Sequence, residues 1–310
     1  MSAMTDVDDM AAFRNRLTRL ASKGWIPDQH GAWFITLTPL LTGMLLGVPH
    51  PSHGWLVAAW VSGFHFFSAV ELLAKTPRRR RPTVRPAVWT WFTLSCLLGA
   101  GLLWAAPSVL LWTPLFAPLV ALTFWQLWRR HDRSLVTRSA TILASCLTTV
   151  VAFGLGAHWR SLDGLFHAGV DQALWQVLWG PDRLATWTLH TGLFIDAKPT
   201  GWAHAWVASF VLAAYFLGTV FLVRSLIRGR RDARWVWATI GWHLVTGAGI
   251  AWAVAVGTLH WAMLLVWVGL ALRGGLLPWW QSTHSPIRPI HIGLAEIAWT
   301  FAVGSLLIVS

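Results

Sequence analysis

Charge is what this chain has least of. Of its 310 residues only 12% are charged and just 12 are aspartate or glutamate, while 55% are hydrophobic and the mean hydropathy is +0.54. That balance excludes a water-soluble domain, because too little polar surface remains to cover such an apolar interior. Cysteine is also scarce. Cys96 and Cys146 fall inside apolar runs with no metal-ligand spacing around them, which argues against a disulfide framework or a zinc site. A Walker A loop, a His-Glu-x-x-His run and a serine elbow are all missing, so nothing supports ATP-driven or zinc-peptidase chemistry. There is no fixed-period repeat and no low-complexity segment. The opening residues are polar, with Asp6, Asp8 and Asp9, and hold no short apolar region with a cleavage site, so no cleaved signal peptide is expected.

What the chain does have is apolar runs long enough to cross a hydrocarbon layer of about 30 Å. They lie near 31–49, 54–74, 87–106, 108–128, 138–158, 202–224, 234–254, 256–273 and 290–309. The fold class expected is therefore all-α: a polytopic transmembrane bundle of about nine spans, in one domain over 25–310. The breaks at 106–108 and 254–256 are soft, marked only by Ala105-Ala106-Pro107 and Val256-Gly257-Thr258, so counts of eight or ten stay open. Residues 1–24 form a separate basic segment. In it Met10, Phe13, Leu17 and Leu20 oppose Arg14, Arg16, Arg19 and Lys23 at helical spacing, as in an interfacial helix, although a partly ordered basic tail has the same composition. The long connection 159–201, with Leu174 to Trp179 before Gly180-Pro181, reads as a cap on the far side.

The net charge of +12 would point to nucleic acid if it formed one soluble surface. Instead, 21 of the 24 lysines and arginines fall on alternate connections, on one side of a nine-span chain, and only Arg160, Arg183 and Lys198 fall on the other. Basic residues accumulate on the cytoplasmic side, which places the N-terminus inside and the C-terminus outside. The expected partner is the bilayer with its anionic headgroups at that face, and no nucleic acid.

Ionisable groups inside a bilayer are costly and therefore informative. Glu71 lies in the last turns of the second span and Glu296 in the first turns of the ninth. At similar expected depth come Asp28, Gln29 and His30 before the first span, Lys75 after the second, Arg224 and Arg228 at the end of the sixth, His243 in the seventh and Arg273 at the end of the eighth. One inward-facing polar cavity would collect them all. The plainer reading pairs Glu71 with Arg224 or Arg273 to tie helices together, with the remaining arginines reaching to headgroups. No metal site is indicated and no cofactor is expected. Haem b is an alternative through facing histidines among His65, His158, His204 and His243.

Pro27-Asp28-Gln29-His30-Gly31-Ala32-Trp33 resembles the Pro-Asn-Gln-His-Gly-Ala-Trp opening of the YwiC-like bacterial membrane proteins. Tyr215 to Val220, Arg224 to Arg228, His243, Arg273 and Gly293 to Ile297 resemble later segments of that family in the same order. The resemblance implies a bacterial inner-membrane protein and supplies no reaction. Asp28 departs from the usual Asn, as do the long 159–201 connection and the glycine-rich Gly274-Gly275. A more distant similarity, through Thr36 to Gly43, is to the UbiA prenyltransferases, whose nine helices enclose a cavity near the cytoplasmic side. Their Asp-rich magnesium motifs are replaced here by Glu71 to Lys75 and Arg224 to Arg228, so an enzyme of this kind would be a metal-independent transferase. Lys75, Arg78, Arg224 and Arg228 would meet a diphosphate directly. The expected function is an inner-leaflet cavity for an isoprenoid, quinone or lipid-like molecule. The alternative is a small-molecule or proton-coupled transporter, or an accessory respiratory membrane protein.

Overall fold

The computed structural model describes residues 15–27, 30–47, 49–129, 134–157, 202–227, 229, 232–284 and 287–310. The N-terminal half of the proposed interfacial helix, Asp28, Gln29, Arg228 and the 159–201 cap lie outside these residues. Among the described residues the chain is all-helical. Helix α1 covers 15–22, followed by α2 (His30–Leu46), α3 (Ser52–Lys75), α4 (Arg81–Ala105), α5 (Thr113–Trp128) and α6 (Leu135–Ala157). Beyond the cap come α7 (Trp202–Ile227), α8 (Ala233–Ala255), α9 (Ala262–Thr283) and α10 (Pro289–Val309). Eight of the helical segments, α3 to α10, are long and apolar enough to cross a membrane. The soft break near 106 is a real one: α4 stops at Ala106, and Pro107–Trp112 forms a short 3-10 turn before α5.

The break near 256 is also real, but it falls differently. Gly257 adopts φ +76°, its N–H donates to Val254 O, and the Thr258 N–H donates to Ala253 O, which closes α8 in a Schellman turn that only glycine enters without strain. Helix α9 then starts at Ala262 and runs to Thr283, not over 256–273. Arg273 is therefore mid-helix rather than a helix end, and it leaves the set of basic loop residues. The stretch Gly274-Gly275 is helix interior as well.

Helix α2 is the ninth apolar segment, and it is short. Its 17 residues reach about 26 Å at 1.5 Å per residue, less than a hydrocarbon core. It also contains Pro39, which has no N–H to give the carbonyl of Ile35. Helix α6 makes up the deficit. Ser145 Oγ donates to Ile35 O (2.5 Å), the kind of side-chain repair that keeps proline tolerable in lipid, and Thr149 Oγ1 adds a second tie to Pro39 O (2.9 Å). Trp60 Nε1 of α3 adds a donor to Thr36 O (3.1 Å). Gly43 lets the two backbones touch, since a Cβ there would overlap the Thr149 carbonyl.

Helices α6 and α7 form the centre: 72% of the α6 span is buried, against 11% for α4 and α5. Helix α7 packs on α2, α6, α8, α9 and α10. One apolar core gathers Leu212, Tyr215, Phe216, Met263, Trp267 and Leu307 between α6 to α10. A second gathers Leu40, Leu56, Trp112, Phe153 and Trp202 around α2 to α7. The outer faces are apolar too, with Trp89, Leu97, Trp104, Phe210, Trp237, Val245 and Phe301 exposed. A water-soluble bundle would put polar residues there, whereas lipid accepts them.

Candidate functional site

Charge enters the bundle interior where α7, α8, α9 and α10 meet. Arg273 of α9 forms an ion pair with Glu296 of α10, with side-chain exposures of 8% and 16%. The second carboxylate oxygen of Glu296 accepts from Thr219 Oγ1 (2.8 Å) and Tyr215 Oη (3.0 Å), both on α7. Tyr215 Oη also lies 3.0 Å from Thr300 Oγ1, and Thr300 donates back to Glu296 O (2.7 Å). One carboxylate thus holds three helices together. The Arg273 guanidinium further lies 5.5 Å from the Trp299 ring centroid, a cation–π contact that favours the cation in a dry site.

His243 of α8 stands beside this group. It is 1% exposed, and its Nδ1 lies 2.7 Å from Thr239 O. A carbonyl accepts only, so Nδ1 carries the proton and Nε2 of the neutral ring is left as an acceptor. Among the described residues Nε2 has no hydrogen-bond partner, and neither has Arg273 Nε. Gly218, next to Thr219, makes room for the ring: a Cβ there would stand 2.8 Å from His243 Nε2. At 1.5 Å per residue the network lies roughly 10–18 Å from the basic ends of its helices, nearer the middle of the span than a cavity mouth.

The other residues expected in one cavity are elsewhere. Glu71 pairs with Lys75 one turn on (2.5 Å), not with Arg224 or Arg273. Helix α3 packs on α2, α4, α5 and α6, away from the α8–α9 pairing. Arg224 lies over the Trp235 ring, 4.1 Å from its centroid, near the end of α7. His30 opens α2. Asp28, Gln29 and Arg228 lie outside the described residues. Of the histidines, His65 is enclosed by Trp33, Phe64 and Trp91 with Nδ1 on Val61 O, and it does not face His243. His204 Nε2 donates to Leu307 O (2.9 Å). The structure thus brings Arg273, Glu296 and His243 together, and keeps Glu71, Lys75 and Arg224, which the sequence pattern grouped with them, apart.

Tyr215, Thr219, Thr300 and Gly218 complete the site without any sequence pattern to flag them singly. A weak signal exists in the spacing: Tyr215 and Thr219, and Glu296 and Thr300, are four apart and so share a helix face. Thr300 and Tyr215 read as ordinary span residues until the helices are assembled.

These features define the class: a polytopic membrane-type helical bundle with one ionic network buried between its last four helices. Residues 26–153 match the family model described as YwiC-like protein. It is 25% identical over 223 residues to "Uncharacterized protein YwiC" of Bacillus subtilis (strain 168), covering 72% of this chain and 75% of that protein. It is 23% identical over 291 residues to an uncharacterized protein of Haemophilus influenzae, covering 92% and 98% of the two chains. No solved structure shows a significant match. The family match ends near the close of α6, so Arg273, Glu296 and His243 lie beyond it.

Proposed function

We propose that the α7–α10 site binds the head group of a hydroxylated apolar molecule, of the quinol or isoprenoid-alcohol class, inside the bilayer. The observation that carries this is the pair of buried polar atoms beside the Arg273–Glu296 pair that have no partner among the described residues. His243 Nε2 is an acceptor and Arg273 Nε–H a donor. Buried groups of this kind normally find partners, and a hydroxyl both donates and accepts, so it can serve the two together. Trp267, whose ring centroid lies 6.5 Å from that of His243, and Trp299, 5.5 Å from Arg273, give the site apolar neighbours that suit the body of such a molecule. Arg273 and His243 would hold it without a metal.

In this reading the protein works in a bacterial inner membrane with its N-terminus and arginine-rich ends in the cytoplasm. A transporter would continue the polar path toward the opposite end of α7. There Ser209 donates to Cys146 O (2.8 Å) and His204 to Leu307 O, so both hydroxyl and imidazole serve backbone carbonyls. That use favours the binding site over a through-path.

The test is mass spectrometry of organic extracts from purified wild type and from His243→Phe, with folding checked by protection of Cys146. The expected result is a hydroxylated quinol or prenol enriched in wild type and lost in the variant. Identical extracts holding only ordinary bilayer lipids would overturn the proposal. A Soret absorption band, lost in His243→Phe, would replace it with haem ligation.

A further inference from the structure

At the arginine-rich end of the bundle, far from the buried network, the turn between α3 and α4 encloses a recess of about 290 Å³. Its walls are Lys75, Thr76, Arg78, Arg81 and Leu127, with Pro77 at the turn. We infer that this recess seats the phosphate headgroup of an anionic membrane lipid.

The argument begins with charge. Arg78 and Arg81 line the recess, the exposed Arg79, Arg80 and Arg85 adjoin them along the chain, and none of the five forms an ion pair with a carboxylate among the described residues. Within a short turn this concentrates positive potential with no carboxylate paired to the arginines, and their mutual repulsion is relieved by bound anions or by concentrated salt. Arg81 is held in place, its Nε donating to Thr76 O (3.2 Å), so part of the guanidinium surface is fixed before any ligand arrives. The turn is rigid as well: Pro77 precedes Arg78–Arg80, and the Arg80 N–H donates to Pro77 O (2.9 Å).

The surroundings decide between a lipid and a free anion. Leu127 lines the recess, Trp128 beside it is 85% exposed, and Trp89 on α4 is 64% exposed. Arg129 lies over the Trp125 ring at 4.4 Å. Exposed tryptophans next to arginines are the composition of a membrane interface, where the rings sit at headgroup level and the basic groups meet phosphate. A soluble phosphate would need the cations but not this apolar rim. A headgroup with acyl chains uses both.

The experiment is native mass spectrometry of the detergent-purified full chain, titrated separately with cardiolipin, phosphatidylglycerol and phosphatidylcholine, and with inorganic phosphate as competitor. Arg78→Gln/Arg81→Gln removes two recess cations. Arg234→Gln/Arg288→Gln removes two exposed arginines from other connections at the same end and serves as the charge-matched control. The expected result is tighter binding of the two anionic lipids than of phosphatidylcholine, weakened about tenfold or more by the recess variant and little by the control. Equal losses in both variants, or unchanged binding in the recess variant, would overturn the inference. Full displacement of lipid by millimolar inorganic phosphate would overturn the lipid as the occupant.

Discussion

Neutralising Glu296 is the sharpest perturbation of the buried network. Glu296→Gln keeps the shape of the side chain and an oxygen for Thr219 and Tyr215, but it leaves the Arg273 cation, 8% exposed, without its counter-charge. Removing one partner of a buried pair costs about 3–5 kcal/mol. Arg273 retains Trp299 beneath it, so the lower figure of about 3 kcal/mol applies. Arg273→Gln should cost a similar amount by stranding the carboxylate. The double variant strands neither charge, so it should cost less than either single variant, and far less than the sum of about 6 kcal/mol. Cys146 is a built-in reporter, 1% exposed in the same core. In a Cys96→Ala background, its reaction with a thiol dye in detergent tracks the population of opened chains. Each single substitution should raise that rate by about a hundredfold, and the double by no more. Singles that react like the parent, or costs that simply add, would refute the claim that this pair joins α9 to α10.

Three further outcomes follow from the packing. Ser145→Ala should destabilise by about 1–3 kcal/mol because it strands the Ile35 carbonyl, and Pro39→Ala in the same chain should recover most of that by restoring an N–H; thermal unfolding in detergent checks both. Gly43→Ala should lower the melting temperature by overpacking against Thr149, at a cost of about 1–3 kcal/mol. Gly63→Ala, with nothing within 4 Å of its added carbon, should be neutral or stabilising by up to about 1 kcal/mol. Between α2 and α3, the His50 imidazole is held below the ordinary histidine value, by lost hydration first and by the neighbouring His53 ring second. A lowered folded value means stability present above the unfolded value near 6.5 and lost as pH falls through the folded one. The melting temperature should therefore drop on acidification below about pH 6.5, less steeply in His50→Asn, which keeps an acceptor for the Ser52 N–H without a titrating ring.

The architecture was largely legible in the residues, because apolar runs of span length have few other uses. The site was legible in part. Glu296 and His243 stood out as polar groups in apolar runs. Arg273 misled on position, because a lone arginine at the end of a hydropathy window looks like a helix terminus when its partner, Glu296, lies on another helix. Lys75 was the visible partner for Glu71 at one-turn spacing, yet the pull of distant arginines hid it. Tyr215, Thr219 and Thr300 gave no sign singly, since hydroxyls are common in spans and only assembly turns three of them toward one carboxylate.

The proline in α2 bears on how the chain is made. The Ile35 carbonyl that it leaves bare waits for Ser145, a residue synthesised more than a hundred positions later. At about 5–20 residues per second this is roughly 5–20 seconds of translation. Until α6 emerges, the first apolar helix is too short and too poorly bonded to settle in lipid alone. Helix α2 must therefore be held, by the insertion machinery or at the membrane surface, until α6, the fourth long apolar helix, arrives to receive it. A nascent chain halted before residue 145 should leave α2 accessible to modification, and one halted after α6 should not.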